Sequence, residues 1–328
     1  MYTKCVLLAA TAFLSMNVPA AAEQNSRPIG DSKIIAEVPA PGYPEGIAVG
    51  KKNFYVSGPA AFGVGSPTVW VYDLATGALV RTIPLAGFAG SCIALDEKEN
   101  IYVIEESQGV VKIDAKTGVS SVYGTGLVPA PGTPYLLNDL AFDKKGNLYV
   151  TDTFRATIWR VPPGGGMAKA WFQDSRLAGP FGPNGIRLDE DGEKIYFTTT
   201  IETAGTGHIW TLPVKESPTA DDLKSFYVYA PGDAPDGIAF GKSGKLYVAL
   251  AFSNAISVIS EHGVELQRFS GPATTAGAPL PWQNPANIAF NDKTGALLVT
   301  NHASLVDPLL AQFAVFDVFV NDKAGKLF

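Results

Sequence analysis

The chain has 328 residues, 46% of them hydrophobic and 17% charged, which excludes a disordered protein and leaves ample length for a core. A net charge of −6 without any basic run gives no electrostatic footprint for nucleic acid. The 34 glycines and 24 prolines point to a fold with many turns.

The chain starts with a secretory pattern. Lys4 gives a positive start, Val6 to Leu14 is mostly apolar, and Ala20-Ala21-Ala22 offers a small-residue cleavage site before Glu23. The apolar stretch is short for a bilayer span, and Pro19 follows it. Residues 1–22 therefore read as a signal peptide and 23–328 as one exported domain, periplasmic or secreted. No membrane attachment is expected once the signal is removed, and the mature chain is expected to be a monomer. Cys92 is then the lone cysteine, so no internal disulfide can form. Its apolar strand context marks it as a buried, inert thiol.

From Lys33 the chain reads as short strands. KIIAEV, Lys33 to Val38, stands alone. Then one phrase returns six times: YPEGIAV from Tyr43, GSCIALD from Gly90, LNDLAFD from Leu137, PNGIRLD from Pro183, PDGIAFG from Pro235 and PANIAFN from Pro285. Each copy continues through a polar turn into a second strand, as in FDKKGNLYV and FGKSGKLYV, with turn residues suited to a hairpin. A third strand follows (VWVYDL, GVVKID, TIWRVP, HIWTLP, AISVIS, FAVFDVFV), and usually a fourth. β-Branched and aromatic residues dominate, without convincing helical periodicity.

Aligned on Ala48, Ala94, Ala141, Arg187, Ala239 and Ala289, the copies are spaced by 46, 47, 46, 52 and 50 residues. That is the period of a four-stranded propeller blade. The expected fold is all-β: a six-bladed β-propeller with four-stranded blades, its ring closed by the N-terminal strand Lys33 to Val38. The alternative is a seven-bladed or open arrangement.

Three residues before each aligned position stand Glu45, Ser91, Asn138, Asn184, Asp236 and Ala286. Equivalent positions of a closed ring meet around one axis. Glu45, Asn138, Asn184 and Asp236 bring two carboxylates and two amide oxygens, the donor set of Ca2+. Turn formation explains one or two such residues, but not four at one repeat position, and Glu45 least of all. Zinc is disfavoured because no histidine or cysteine joins them.

The copies YPEGIAV, LNDLAFD, GPNGIRLD and APDGIAF resemble the gluconolactonase and regucalcin (senescence marker protein) family, and more distantly diisopropyl fluorophosphatase and the paraoxonases. The resemblance runs from about Pro41 to about Asp322. It implies a six-bladed propeller with one catalytic calcium in the channel mouth. It places the family's metal ligands on Glu45, Asn138, Asn184 and Asp236, and its catalytic aspartate on Asp236. Sugar lactonases of the family commonly carry an Arg two residues before the first Asn ligand; here that place is Leu136, which points to a less polar substrate. Ala239 replaces the acid of a second calcium seen in some relatives.

Second strands should end at the same pocket. Ser91, Glu106, Asn301 and His302 are the candidate substrate-binding residues there, with Phe154, Phe252 and Trp282 as apolar cover. Asp152 reads as a brace for its blade. The expected function is calcium-dependent hydrolysis of a small lactone or related ester, with Asp236 as general base or nucleophile. The alternatives are a phosphoester or organophosphate hydrolase and a non-enzymatic binding propeller.

Overall fold

In the hairpin joining the first two strands of the third repeat, Asp143 Oδ1 accepts the amides of Lys145 (2.8 Å) and Asn147 (2.9 Å), and Gly146 takes φ +81°. Asp96 binds the amides of Lys98 and Asn100 in the same way. These aspartates belong to turns, and the strands they join form the blades. The structure, a computed structural model, describes residues 27–59, 65–87, 90–270, 282–306 and 311–328. The signal-like segment lies outside the described residues.

Six small antiparallel sheets form a six-bladed β-propeller. Among the described residues the only helical pieces are two 3-10 turns, Ser175–Leu177 and Ala220–Asp222. Ser32–Glu37 pairs antiparallel with Ala314–Phe319 and supplies the outer strand of blade 6. The closing strand is thus the one expected from the sequence. Blade 2 gains a short parallel addition, Gly166–Met167 alongside Ser120–Thr125.

Burial grades outward within a blade. In blade 1 the third strand, Thr68–Asp73, is almost wholly buried, while the fourth, Leu79–Pro84, is mostly exposed. The core lies as wedges between neighbouring blades. At the seam, Ile47, Phe54, Trp70 and Tyr72 of blade 1 pack with Leu298 and Val315 of blade 6. Each large apolar side chain buried there contributes roughly 1.5–3 kcal/mol.

Two local devices shape the channel. First, the inner strands of blades 2 to 6 carry one extra residue where the repeat meets the axis. In blade 3, Leu137 pairs with Asp152 but Leu140 with Val150; the same slip lies between Pro183 and Ile186, Pro235 and Ile238, Pro285 and Ile288, and Gly90 and Ile93. Such bulges break the strict in-out alternation, so two successive residues can serve the channel. Second, Tyr43 (φ 51°), Ala234 (φ 54°) and Asn284 (φ 53°) adopt left-handed backbone just before Pro44, Pro235 and Pro285. Left-handed non-glycine residues cost on the order of 1–3 kcal/mol and persist only when surrounding structure holds them.

Candidate active site

Glu45, Asn138 and Asp236 line one cavity of about 400 Å³ at a mouth of the channel, together with Ser91 and His302. Asn184, at the same repeat position in blade 4, is buried and bonded to Thr200 of the lining. A belt of buried hydroxyls on second strands fixes the backbone at these positions. Thr151 donates to the carbonyl of Asn184 (2.7 Å), Thr198 to that of Asp236 (2.7 Å) and Thr300 to that of Glu45 (2.8 Å). Ser57 donates to the carbonyl of Ser91. Each bond runs from one blade to the next, so the ring positions are set by inter-blade contacts.

Asn138 Nδ2 donates to Thr153 Oγ1 (3.3 Å), and Asn184 Nδ2 to Thr200 Oγ1 (2.9 Å). Thr153 spends its single proton on the carbonyl of Pro183 (2.7 Å), so it can only accept from Asn138. The amide oxygens of both asparagines are therefore turned away from the threonines. Both are buried without a hydrogen-bond partner. An orphaned buried acceptor costs on the order of 1–3 kcal/mol. Two of them at one level call for a donor or a cation.

The electrostatics agree. Burial, then the Asp139 carboxylate, raises Glu45 above the usual range. Burial, then Glu45 and Asp139, holds Asp236 well above it. A hard cation would relieve this repulsion and satisfy both amide oxygens. Two carboxylates and two amide oxygens fit that requirement. Among the described residues no group of three or more His, Cys, Asp or Glu is placed to hold a metal, so any ion here would depend on the amides. Within the ring Glu45, Asn138 and Asn184 are buried, whereas Asp236 keeps part of its surface open.

A family profile described as the SMP-30/gluconolactonase/LRE-like region matches residues 64–302. The chain belongs to this family. Among solved structures it is similar to a calcium-binding regucalcin from Agrobacterium tumefaciens, at 18% identity and TM-score 0.68, covering 87% of this chain and 92% of that one. It is also similar to a gluconolactonase from Xanthomonas campestris (16% identity, TM-score 0.59, 89% and 98% covered). A luciferin-regenerating enzyme gives 18% identity and TM-score 0.63, with 87% and 94% covered. At these identities the likeness shows the fold. No curated protein matches the chain significantly by sequence.

Beyond the ring, this family member distributes its other candidates unevenly. Ser91 Oγ donates to Glu106 Oε1 (3.1 Å), and Leu137 N approaches Glu106 Oε2 (3.4 Å). Glu106 thus lies behind Ser91, outside the cavity lining, and burial pushes it up to about 8. His302 lines the cavity with Nδ1 3.5 Å from Glu45 Oε2, and its buried Nε2 lacks a partner. Burial lowers it to about 4, so it is neutral near pH 7. Asn301 is not part of the cavity. Its Oδ1 accepts the amide of Gln283 (2.6 Å) and its Nδ2 donates to the carbonyl of Gln312 (2.7 Å), so the residue ties two segments together.

Of the expected apolar cover, Phe252 lines the cavity and Phe154 packs edge-on against the lining Phe181 at 5.8 Å. Trp282 instead sits in the blade 6 core and donates to Ser32 Oγ (3.2 Å), helping to hold the closing strand. Asp152 braces its blade, bonding to Arg155 and to Trp159 Nε1 (3.2 Å). Cys92 is buried, and burial, with Asp139, Glu45 and Asp236, pushes its thiol up. Thr153 and Thr200 stand at second-strand ends expected around the pocket, though the sequence assigns them no role there, and Asp139 has no signal in the repeat. The threonines had a signal: a hydroxyl at the second-strand end 15 or 16 residues after each ring asparagine.

Proposed function

We propose that the protein is an exported, calcium-dependent hydrolase of lactones or related esters. Family membership supports the lactonase-type hydrolase class. The observation that carries the calcium reading is the pair of orphaned amide oxygens, Asn138 Oδ1 and Asn184 Oδ1, on residues at the same repeat position as Glu45 and Asp236. In this reading those four residues hold the ion. Bound calcium supplies Lewis acidity that polarises a carbonyl oxygen and steadies the developing oxyanion.

Asp236 is the ring member with surface open to the cavity, and its carboxylate takes the proton of the attacking water. Glu45 is too enclosed for that part. Neutral His302 presents Nε2 to a polar atom of the substrate, and Ser91, oriented by Glu106, also lines the cavity. Leu136, Phe181, Ile201, Ala251, Phe252 and Leu305 make an apolar wall. Among the described lining residues there is no Lys or Arg, so the substrate class is an uncharged lactone with an apolar body.

A panel of lactones and esters, assayed with calcium and with chelator alongside metal analysis, tests this reading. Activity should vanish with chelator and return with calcium. Activity indifferent to chelator in metal-free protein would refute it. A single turnover in 18O-labelled water should place the label in the product acid; label in Asp236 would make that residue the nucleophile. Export is tested in the native host, where the mature chain should begin near Glu23.

A further inference from the structure

Beneath the ring, at the aligned repeat position, five blades carry alanine (Ala48, Ala94, Ala141, Ala239, Ala289) and blade 4 carries Arg187. The guanidinium crosses the channel. Nη1 donates to Asp139 Oδ2 (2.7 Å) in blade 3 and to the carbonyl of Ile186 (2.5 Å), while Nη2 reaches Asn287 Oδ1 (3.4 Å) in blade 6, two blades away. Asn287 in turn donates to Cys92 Sγ (2.9 Å) in blade 2. Close packing at the axis leaves little slack. A Cβ on Gly237 would fall 2.6 Å from Asn287 Oδ1, and one on Gly185 2.4 Å from the carbonyl of Asp236.

Asp139 is fully buried and follows Asn138 directly in the bulged strand. It also accepts the amides of Leu140 (2.8 Å) and Ile186 (3.1 Å). It acts on Glu45 and Asp236 through space, so it belongs electrically to the ring. Glu45, Asp139 and Asp236 together make three acids, and Arg187 is the one cation bonded to any of them among the described residues. We propose that Arg187 sets the charge of the ring: its guanidinium cancels Asp139, leaving the two negative charges of Glu45 and Asp236, and so tunes the site to a divalent rather than a trivalent cation. The proposal rests on the calcium reading above. It concerns which ion the ring prefers, and it assigns Arg187 no contact with substrate.

The test is the ratio of Tb3+ to Ca2+ affinity, measured by titration on the purified, chelator-stripped full chain. Arg187→Met adds one net negative charge and should raise the ratio at least about tenfold, since the added attraction scales with ion charge. Asp139→Asn removes one and should lower it by a similar factor. The double variant restores the balance and should return the ratio to within about threefold of wild type. Arg187→Lys, which keeps the charge, should do the same. Arg187→Met leaves a buried carboxylate unpaired and risks misfolding; Asp139→Asn and the double variant then carry the test. A ratio that stays put in Asp139→Asn, or that follows bulk stability and not net charge across the series, overturns the proposal while leaving calcium binding intact. Failure of the wild-type protein to bind either ion overturns both.

Discussion

The channel has two mouths, and the larger cavity is at the one away from the ring. Away from the ring, a cavity of about 510 Å³ is lined by the alanines of the repeat and capped by Lys326, Leu327 and Phe328. Three of its lining acids, Asp96, Glu99 and Asp292, have protein partners. Glu99 accepts the amide of Lys51 (2.7 Å), Asp292 that of Ala324 (2.6 Å), and Asp96 those of Lys98 and Asn100. The chain end is stitched down by Lys242 N to Lys323 O and Gly325 N to Phe240 O, both 2.8 Å. The ring mouth is smaller, yet it holds acids that repel one another and two amide oxygens without partners. Unmet hydrogen-bonding capacity, more than volume, marks where a ligand has something to gain.

The largest effect should come from the carboxylate proposed as the base. Asp236→Asn keeps an oxygen at the ring and removes the base, so kcat should fall by about a thousandfold or more with calcium binding partly retained. At the other mouth, Asp292→Asn should leave kcat within about twofold. Equal losses in the two variants would dissolve the distinction between the mouths, and steady-state kinetics at saturating calcium reads it directly.

Metal affinity comes next. Asn184→Ala removes one orphaned oxygen and should weaken calcium binding by about tenfold or more, with kcat near wild type once calcium saturates. Chelation should lower the thermal midpoint of the wild-type chain, because a ligand bound only by the folded state stabilises it. The Asp292→Asn variant should show the same chelator response as wild type. Calorimetry of both variants, with and without chelator, checks the pair.

The repeat made much of this legible. Six copies at blade spacing gave the blade number, and Lys33 to Val38 was left over as a strand without a blade, hence the closing strand. The ring was legible because equivalent repeat positions converge by symmetry. What symmetry does not supply was missed. Arg187 is unique at its repeat position, so no pattern says that it spans to Asp139 and Asn287. Asn301 was placed at the pocket by its position at a strand end, but its amide is consumed by Gln283 and Gln312, partners more than ten residues away in the chain. The bulges are not legible either, because an extra residue in one strand leaves the hydrophobic pattern of the phrase unchanged.

Acidity offers a further contrast between the two mouths. Asp96, beside the far cavity, is held low against its burial by hydrogen bonds from Asn100, Lys98 and Tyr102. Glu106, behind Ser91, is pushed up to about 8 by burial. A carboxyl raised in the folded state keeps its proton there, so its stabilising contribution is fully present below its unfolded value near 4.5. That contribution is lost as pH rises toward about 8. The shift bounds the effect at about 5 kcal/mol. Glu106→Gln mimics the protonated form. In chelator-treated protein it should gain about 1–3 kcal/mol on wild type at pH 8 and nothing measurable at pH 4. Denaturant titrations at the two pH values check this; a gain of equal size at both would remove ionisation of Glu106 as its cause.

The smallest effect, and the one that bears most on biology, concerns the wall of the ring cavity. Leu136 stands where a guanidinium would meet sugar hydroxyls or a carboxylate, and Arg155 does not replace it. The Arg155 side chain is bonded to Asp152 and to the carbonyl of Leu127, with its guanidinium over the Trp159 ring at 4.7 Å. A wall without donors cannot recover the cost of stripping water from polyhydroxylated rings. Against Phe181, Ile201 and Phe252, an aliphatic or aromatic lactone gains about 25 cal/mol per Å² buried, so about 40 Å² of extra contact is worth roughly 1 kcal/mol. Simple lactones should therefore exceed glucono-lactone in kcat/KM by about fivefold or more at fixed calcium. Leu136→Arg should narrow or reverse the ratio by restoring a donor at that place. A wild-type preference for glucono-lactone would mean that the polar contacts come from His302 or Ser304, and that the apolar wall is cover for the ring rather than a reader of substrate.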